Sequence, residues 1–200
     1  MHLTSNEFYH IYNRGNNKHP IFFNHENYLF FIKKLRTQLL PVSSIISYCL
    51  MPNHFHLIVM AKEAGLKERP TFGGKSMHEF SYRLGILLSS YSQAINKQNK
   101  TIGSLFQQKT RSKHLYENVN GRKESYLEAC FFYVHQNPLE AGLVTELNKW
   151  PYSSYPDYAG LRNGSLCDKE LFYKYSGLKQ EDILKRNSTG FTKEEIDKFY

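Results

Sequence analysis

The stretch Tyr48–Ala61, YCLMPNHFHLIVMA, sets two histidines one residue apart, His54 and His56, inside an otherwise apolar run. A buried strand is built from Val, Ile, Leu and Phe, and an imidazole there is costly unless something binds it. Side chains alternate along a strand, so His54 and His56 share one face while Phe55, Leu57 and Val59 take the other, toward a core. At the rise of an extended chain the two imidazoles start roughly 7 Å apart. Held on a rigid strand, such a pair can converge on one metal ion. The bare pattern more often means two histidines that are hydrogen-bonded or face solvent. Its meaning depends on what else reaches that face.

Working outward, Met51-Pro52-Asn53 reads as a turn, and residues 42–50, VSSIISYCL, as a strand antiparallel to 54–61. Residues 7–15, EFYHIYNRG, alternate and read as a first strand ending at Gly15. Residues 25–40 carry Tyr28, Phe31, Ile32, Leu35 and Leu39 at helical spacing, with Pro41 just beyond. Gly65, Pro70, Gly73 and Gly74 mark 62–75 as a mobile loop. Residues 76–98 form a long helix, 104–116 an extended segment, and 123–137 a helix stopped by Pro138. The segment 150–160, WPYSSYPDYAG, reads as irregular. The expected fold is α+β, a ferredoxin-like β-α-β-β-α-β antiparallel sheet with helices packed on it. Residues 1–160 make the domain. Residues 161–200 make a C-terminal helical extension, with a capping box at Thr192 and Glu195 and a staple of Phe191 and Ile196.

The chain has 200 residues, 40% hydrophobic and 15% aromatic, enough for a real core in one domain. Lys and Arg number 26 against 18 acidic residues, a net charge of +8 that suits a polyanionic partner, nucleic acid above all. No apolar run reaches the ~20 residues that span a bilayer, and the start lacks a signal pattern, so a cytoplasmic protein is expected. Cys49, Cys130 and Cys167 are an odd, widely spaced set without C-x-x-C, which argues against a zinc site or a disulfide frame.

A second informative stretch is Cys130–Val144, CFFYVHQNPLEAGLV. Tyr133 and Asn137 are four apart and share a helical face. A phenol with its ordinary pKa of about 10 is a poor nucleophile unless a metal at the target phosphate helps, and an amide oxygen is a hard ligand for that metal. Taken alone, the aromatics could be core residues and Asn137 a helix end.

Together these stretches resemble a known family. MPNHFHLIV looks like the H-hydrophobe-H motif of the single-tyrosine, HUH-type transposases. YVHQNPLEAGLV resembles the tyrosine-bearing helix of their REP-associated tyrosine transposase branch. YHIYNRGNNKHPIF (9–22), GSLFQQKTRS (103–112) and WPYSSY (150–155) resemble further segments of that branch, in the same order. The resemblance covers about residues 5–160. It implies a DNA-cleaving and rejoining transposase acting on single-stranded or hairpin DNA through a covalent 5′-phosphotyrosine. His54, His56 and Asn137 would serve a divalent metal, Mg²⁺ or Mn²⁺, and Tyr133 would be the nucleophile. Some relatives are dimers sharing sites in trans and others are monomers, so a homodimer stays open.

DNA binding needs its own surface. Seven Lys or Arg lie between Lys97 and Lys123, opposed only by Glu117, with Phe106, His114 and Tyr116 among them. Cations track phosphates and aromatic faces stack on bases, which makes Lys109, Arg111, Lys113 and the separate Arg14 the candidate contacts. Tyr91, on the long helix, is a competing tyrosine, but Asn96 lies five residues on and off its face. Two other functions fit parts of the pattern. One is a DNA-binding regulator that has kept the fold and lost turnover. The other is an H-x-H metal hydrolase that uses water.

Overall fold

The computed structural model describes residues 1–71, 74–119 and 122–185, with side chains described outside 117–125. The expected capping box at Thr192 and Glu195 lies outside these residues. The elements are β1 (Phe8–Arg14), α1 (His25–Gln38), β2 (Ser43–Met51), β3 (His54–Ala61), α2 (Glu63–Leu66), β4 (Glu68–Pro70), β5 (Ser76–His78), α3 (Glu79–Asn99), β6 (Arg111–His114), β7 (Tyr116–Val119), β8 (Arg122–Ser125), α4 (Leu127–Glu140), α5 (Tyr155–Tyr158), α6 (Lys169–Ser176) and α7 (Gln180–Lys185).

The central sheet has the order β2-β3-β1-β6, with every neighbouring pair antiparallel. With α1 and α3 this is the expected ferredoxin-like arrangement. The quoted stretch supplies its central hairpin: β2 and β3 are joined across Pro52 and Asn53, and Met51 pairs with His54. Proline has no N–H for a ladder, so the turn is where it is tolerated.

Alternation then sorts the strands. Tyr9, Ile11, Phe55, Leu57 and Val59 face α1 and α3, in one core with Phe31, Leu35, Phe80, Leu87 and Tyr91. Phe8, Cys49, Met51, Ile58 and Met60 face the other way, in a second core built with α4, α5 and α6. The histidines of β3 belong to this second face.

Three local outcomes differ from the sequence reading. The helix expected to begin at 123 begins at Leu127, because 122–125 pairs with 116–119 as a hairpin. The loop expected at 62–75 contains α2 and the first strand of the β4–β5 hairpin. Pro138 lies inside α4 rather than stopping it. The ring removes the N–H that would serve the Val134 carbonyl. Asn137 compensates: its Nδ2 donates to Tyr133 O at 2.8 Å and reaches Val134 O at 3.5 Å. The helix ends just beyond, where Gly142 takes φ 65°, a left-handed turn that glycine adopts without strain.

The segment that reads as irregular covers a sheet edge. Leu50 N donates to Tyr152 O and Ser154 N donates to Tyr48 O, both at 2.9 Å, so 150–155 runs along the outer side of β2. Trp150 Nε1 donates to Leu50 O at 3.1 Å. An uncovered edge is a template for pairing with another chain, and this cover removes it. Arg162 locks the segment, donating to both carboxylate oxygens of the buried Asp157 at 2.7 and 2.8 Å and to Ser153 O at 2.6 Å.

Farther along, Phe172 of α6 is fully buried and stacks on Phe131 of α4 at 4.0 Å. Phe172→Ala should therefore cost about 3–5 kcal/mol through the cavity it leaves. Thermal unfolding should fall by roughly 10 °C for a domain of this size. A loss under about 1 kcal/mol would mean that α6 is not part of the cooperative unit.

Candidate active site

His54 and His56 do share a face of β3, and their ring centroids are only 4.9 Å apart at right angles. α4 crosses that face. Tyr133 lays its ring edge-on to His56 at 5.6 Å, and the Asn137 side chain lies near enough to His54 to act on its pKa. The four residues chosen from period two and period four thus meet at one place. Tyr91 does not: it is fully buried in the opposite core, and its hydroxyl donates to Ile21 O at 2.7 Å.

Burial keeps both imidazoles neutral. Desolvation brings the pKa of His54 down to about 4, with the neighbouring Asn137 side chain opposing and the Arg14 charge pushing the same way. His56 is also held well below the usual range, by burial first and then by neighbouring His10 and His54. Neutral imidazole is the metal-binding form, so protons do not compete for these nitrogens near neutral pH. His54 Nδ1 lies 2.7 Å from Asn53 Oδ1. An amide oxygen only accepts, so Nδ1 carries the proton and Nε2 keeps its lone pair.

A cavity of about 440 Å³ opens beside the pair, lined by Tyr12, Asn13, Arg14, His54, Phe55, His56, Gln107, Lys109 and Arg111. Three of the four basic candidates are therefore in the histidine cavity. Arg14 comes from the end of β1, opposite His54. Arg111 comes from β6, opposite Tyr12. Lys109 sits on the segment before β6, which Asn13 pins by donating to Gln107 O at 3.1 Å and Thr110 Oγ1 at 2.9 Å. None of these cations is in an ion pair among the described residues. Lys113 lies opposite His10, outside the cavity lining. Gly15 permits the tight turn after Arg14, since a Cβ there would stand 2.1 Å from His19 O.

Two residues of the site escaped the sequence reading. His10 is fully buried, with Nε2 2.9 Å from His56 Nδ1. Tyr12 is half-buried, stacks near His10 and His56 at 4.8 and 6.0 Å, and lines the cavity. The signal was available: in HIYNR, His10, Tyr12 and Arg14 alternate with the core residues of β1.

Among the described residues no three or more His, Cys, Asp or Glu are grouped to hold a metal. The donor set is two neutral imidazoles with an adjacent amide. These residues would suit a divalent ion, and imidazole ligands would suit Mn²⁺ at least as well as Mg²⁺.

No family model matches the chain, and no curated protein does. A solved structure of a REP-associated tyrosine transposase bound to a REP hairpin is similar to it. The TM-score is 0.55 and the identity 18%, over 84% of this chain and 92% of that one. The likeness shows a shared fold, α+β with a four-stranded antiparallel sheet. No described helix is long and apolar enough to cross a membrane.

Proposed function

We propose that the protein is a metal-dependent single-stranded DNA endonuclease and strand transferase, a transposase of the HUH single-tyrosine type. The observation that carries the reading is the cavity shared by His54, His56 and three cations that make no ion pair among the described residues, with Tyr133 of α4 packed edge-on to His56 behind it. The fold shared with a hairpin-bound transposase supports the same substrate class, single-stranded or hairpin DNA.

Arg14, Lys109 and Arg111 hold the phosphates on either side of the scissile bond. His54 and His56 would hold a divalent ion, with Asn137 beside it, and that ion would supply charge withdrawal from the phosphate oxygen. The Tyr133 oxygen forms a bond to phosphorus and gives up its proton to water. The bond from phosphorus to the 3′-oxygen breaks, and that oxygen takes up a proton from water and leaves as a 3′-hydroxyl. The 5′-phosphotyrosine retains the diester energy, so a later 3′-hydroxyl can attack it and rejoin a strand. The test is incubation with 5′- and 3′-labelled single strands and hairpins with Mn²⁺ or Mg²⁺, read as an SDS-resistant protein–DNA band.

A second reading rests on a specific observation. Tyr133 is 2% exposed and does not line the cavity. A metal hydrolase using water needs no tyrosine there and leaves no adduct, so the same gel separates the two.

The cations carry their own expected result. Each of Arg14→Ala, Lys109→Ala and Arg111→Ala should weaken single-stranded DNA binding regardless of sequence. Each should also flatten the slope of log K against log salt by about 0.7. Fluorescence anisotropy across a salt series measures it. An unchanged slope in all three would place the phosphates elsewhere.

A further inference from the structure

His10 is absent from the cavity lining yet lies directly behind the histidine that is most buried in it. Its Nε2 is 2.9 Å from His56 Nδ1, and the two rings lie nearly parallel, 5.1 Å apart at 17°. Two neutral imidazole nitrogens at that distance share one proton. If His10 donates it, His56 must carry its own proton on Nε2, and that nitrogen cannot bind a metal. If His56 donates, its Nε2 has the lone pair. The hydrogen bond thus decides whether His56 is a ligand at all.

The surroundings favour the second arrangement. Arg14, Lys109 and Arg111 line the cavity with His56. An N–H dipole directed into that positive field is disfavoured, and a lone pair is favoured. His54 is set the same way by a different residue, its Nδ1 proton held by Asn53 Oδ1 at 2.7 Å. Both histidines then present Nε2. A ligating histidine commonly donates its other N–H to an outer partner, which fixes the tautomer and the ring.

We propose that His10 is a positioning residue: by accepting the Nδ1 proton of His56 it fixes His56 as an Nε2 ligand for the divalent ion. The proposal rests on the metal reading above and adds to it the residue that makes one ligand competent. The His10 nitrogen that faces His56 is not a metal ligand, because it is used in accepting that proton.

The experiment uses the full chain labelled with ¹⁵N, and long-range ¹H–¹⁵N correlation to read the tautomer of His56, assigned by its disappearance in His56→Asn. Mn²⁺ affinity is measured by the electron paramagnetic resonance of free Mn²⁺. His10→Gln places an amide oxygen near the position of Nε2 and keeps an acceptor. His10→Leu keeps bulk and removes it. The parent and His10→Gln should show His56 protonated on Nδ1 and bind Mn²⁺ within a few-fold of each other. His10→Leu should lose the single tautomer and bind Mn²⁺ about 10–100-fold more weakly. His56 protonated on Nε2 in the parent would overturn the proposal. So would a His10→Leu variant with unchanged tautomer and Mn²⁺ affinity, or a His10→Gln variant as impaired as His10→Leu. A parent that binds no Mn²⁺ would overturn the metal reading itself and with it the purpose given to His10. Mn²⁺ binding indifferent to His10 overturns the positioning alone.

Discussion

Tyr133→Phe should abolish the covalent protein–DNA band while leaving a folded protein that still binds single-stranded DNA. The substitution deletes one oxygen and keeps the ring that packs edge-on to His56 and His10 at 5.6 and 6.1 Å. Loss of a hydroxyl hydrogen bond costs about 1 kcal/mol, small against the stability of a domain. The proposed phosphate contacts should be unaffected, because Arg14, Lys109 and Arg111 come from β1, β6 and the segment before it, not from α4. Two controls sharpen the result. Tyr91→Phe should retain the adduct, since Tyr91 lies in the opposite core. Tyr12→Phe should retain it too, although Tyr12 is the tyrosine that lines the cavity. Mass spectrometry of the digested complex locates the modified residue. An adduct on Tyr12, or one that persists in Tyr133→Phe, would move the nucleophile from α4 to β1. Cleavage without any adduct would favour the water-using hydrolase.

Burial of Tyr133 adds a condition to that result. At 2% exposure its oxygen cannot meet a phosphate unless α4 shifts or the DNA enters beneath it. α4 is tied to the rest of the second core through Phe131, which stacks on Phe172 at 4.0 Å and meets Tyr158 edge-on at 4.7 Å. His135, with its pKa held down to about 3 by burial, bonds Ser154 Oγ at 2.7 Å and ties the helix to the cover of β2. The segment after residue 160 therefore bears on the tyrosine although it carries none of the chemistry.

Patterns within one element were legible in the sequence, and patterns between elements were not. Alternation put His54 and His56 on one face, and the four-residue step put Tyr133 with Asn137. The strand and helix order was enough for the sheet. His10 was hidden because its meaning depends on register: it pairs with Ile58, and only the diagonal across β1 and β3 brings its ring to His56. Tyr12 was hidden for the same reason, sitting directly opposite His56. Pro138 misled because a side chain, not the backbone, answers its missing N–H. Lys113 was grouped with Arg111 by charge, yet two residues along β6 carry it out of the cavity lining. The role of Arg162 depends on a buried Asp157 five residues earlier and on backbone oxygens of the covering segment, none of which a local pattern reveals.

His54→Ala should lower metal-dependent cleavage by on the order of 10²–10³-fold, the scale expected when one contributor to charge stabilisation at the reacting centre is removed. It is a cleaner test than His56→Ala. His56 is 1% exposed, bonds His10 and lies under Tyr133, so truncation there leaves a cavity and disturbs the tyrosine as well. His54 sits at the start of β3, half-buried at the cavity wall, and its removal leaves the core residues Phe55 and Leu57 in place. DNA binding should survive, and at low salt should hardly change, because a neutral imidazole contributes no charge to it. Mn²⁺ affinity should fall together with cleavage, and raising Mn²⁺ should recover part of the rate if the ion is held by fewer ligands. The measurements are single-turnover cleavage across a Mn²⁺ series and anisotropy of the same labelled strand. Cleavage at the parent rate would remove His54 from the metal site. Loss of binding along with cleavage would make it a folding or contact residue instead. The opposing charges make the combination informative: Arg14, Lys109 and Arg111 repel a lone cation but attract a phosphate, which in turn attracts the cation. In the parent, Mn²⁺ should therefore bind more tightly once DNA is present. In His54→Ala that gain should shrink, because the phosphate can neutralise the cavity but cannot replace the missing nitrogen.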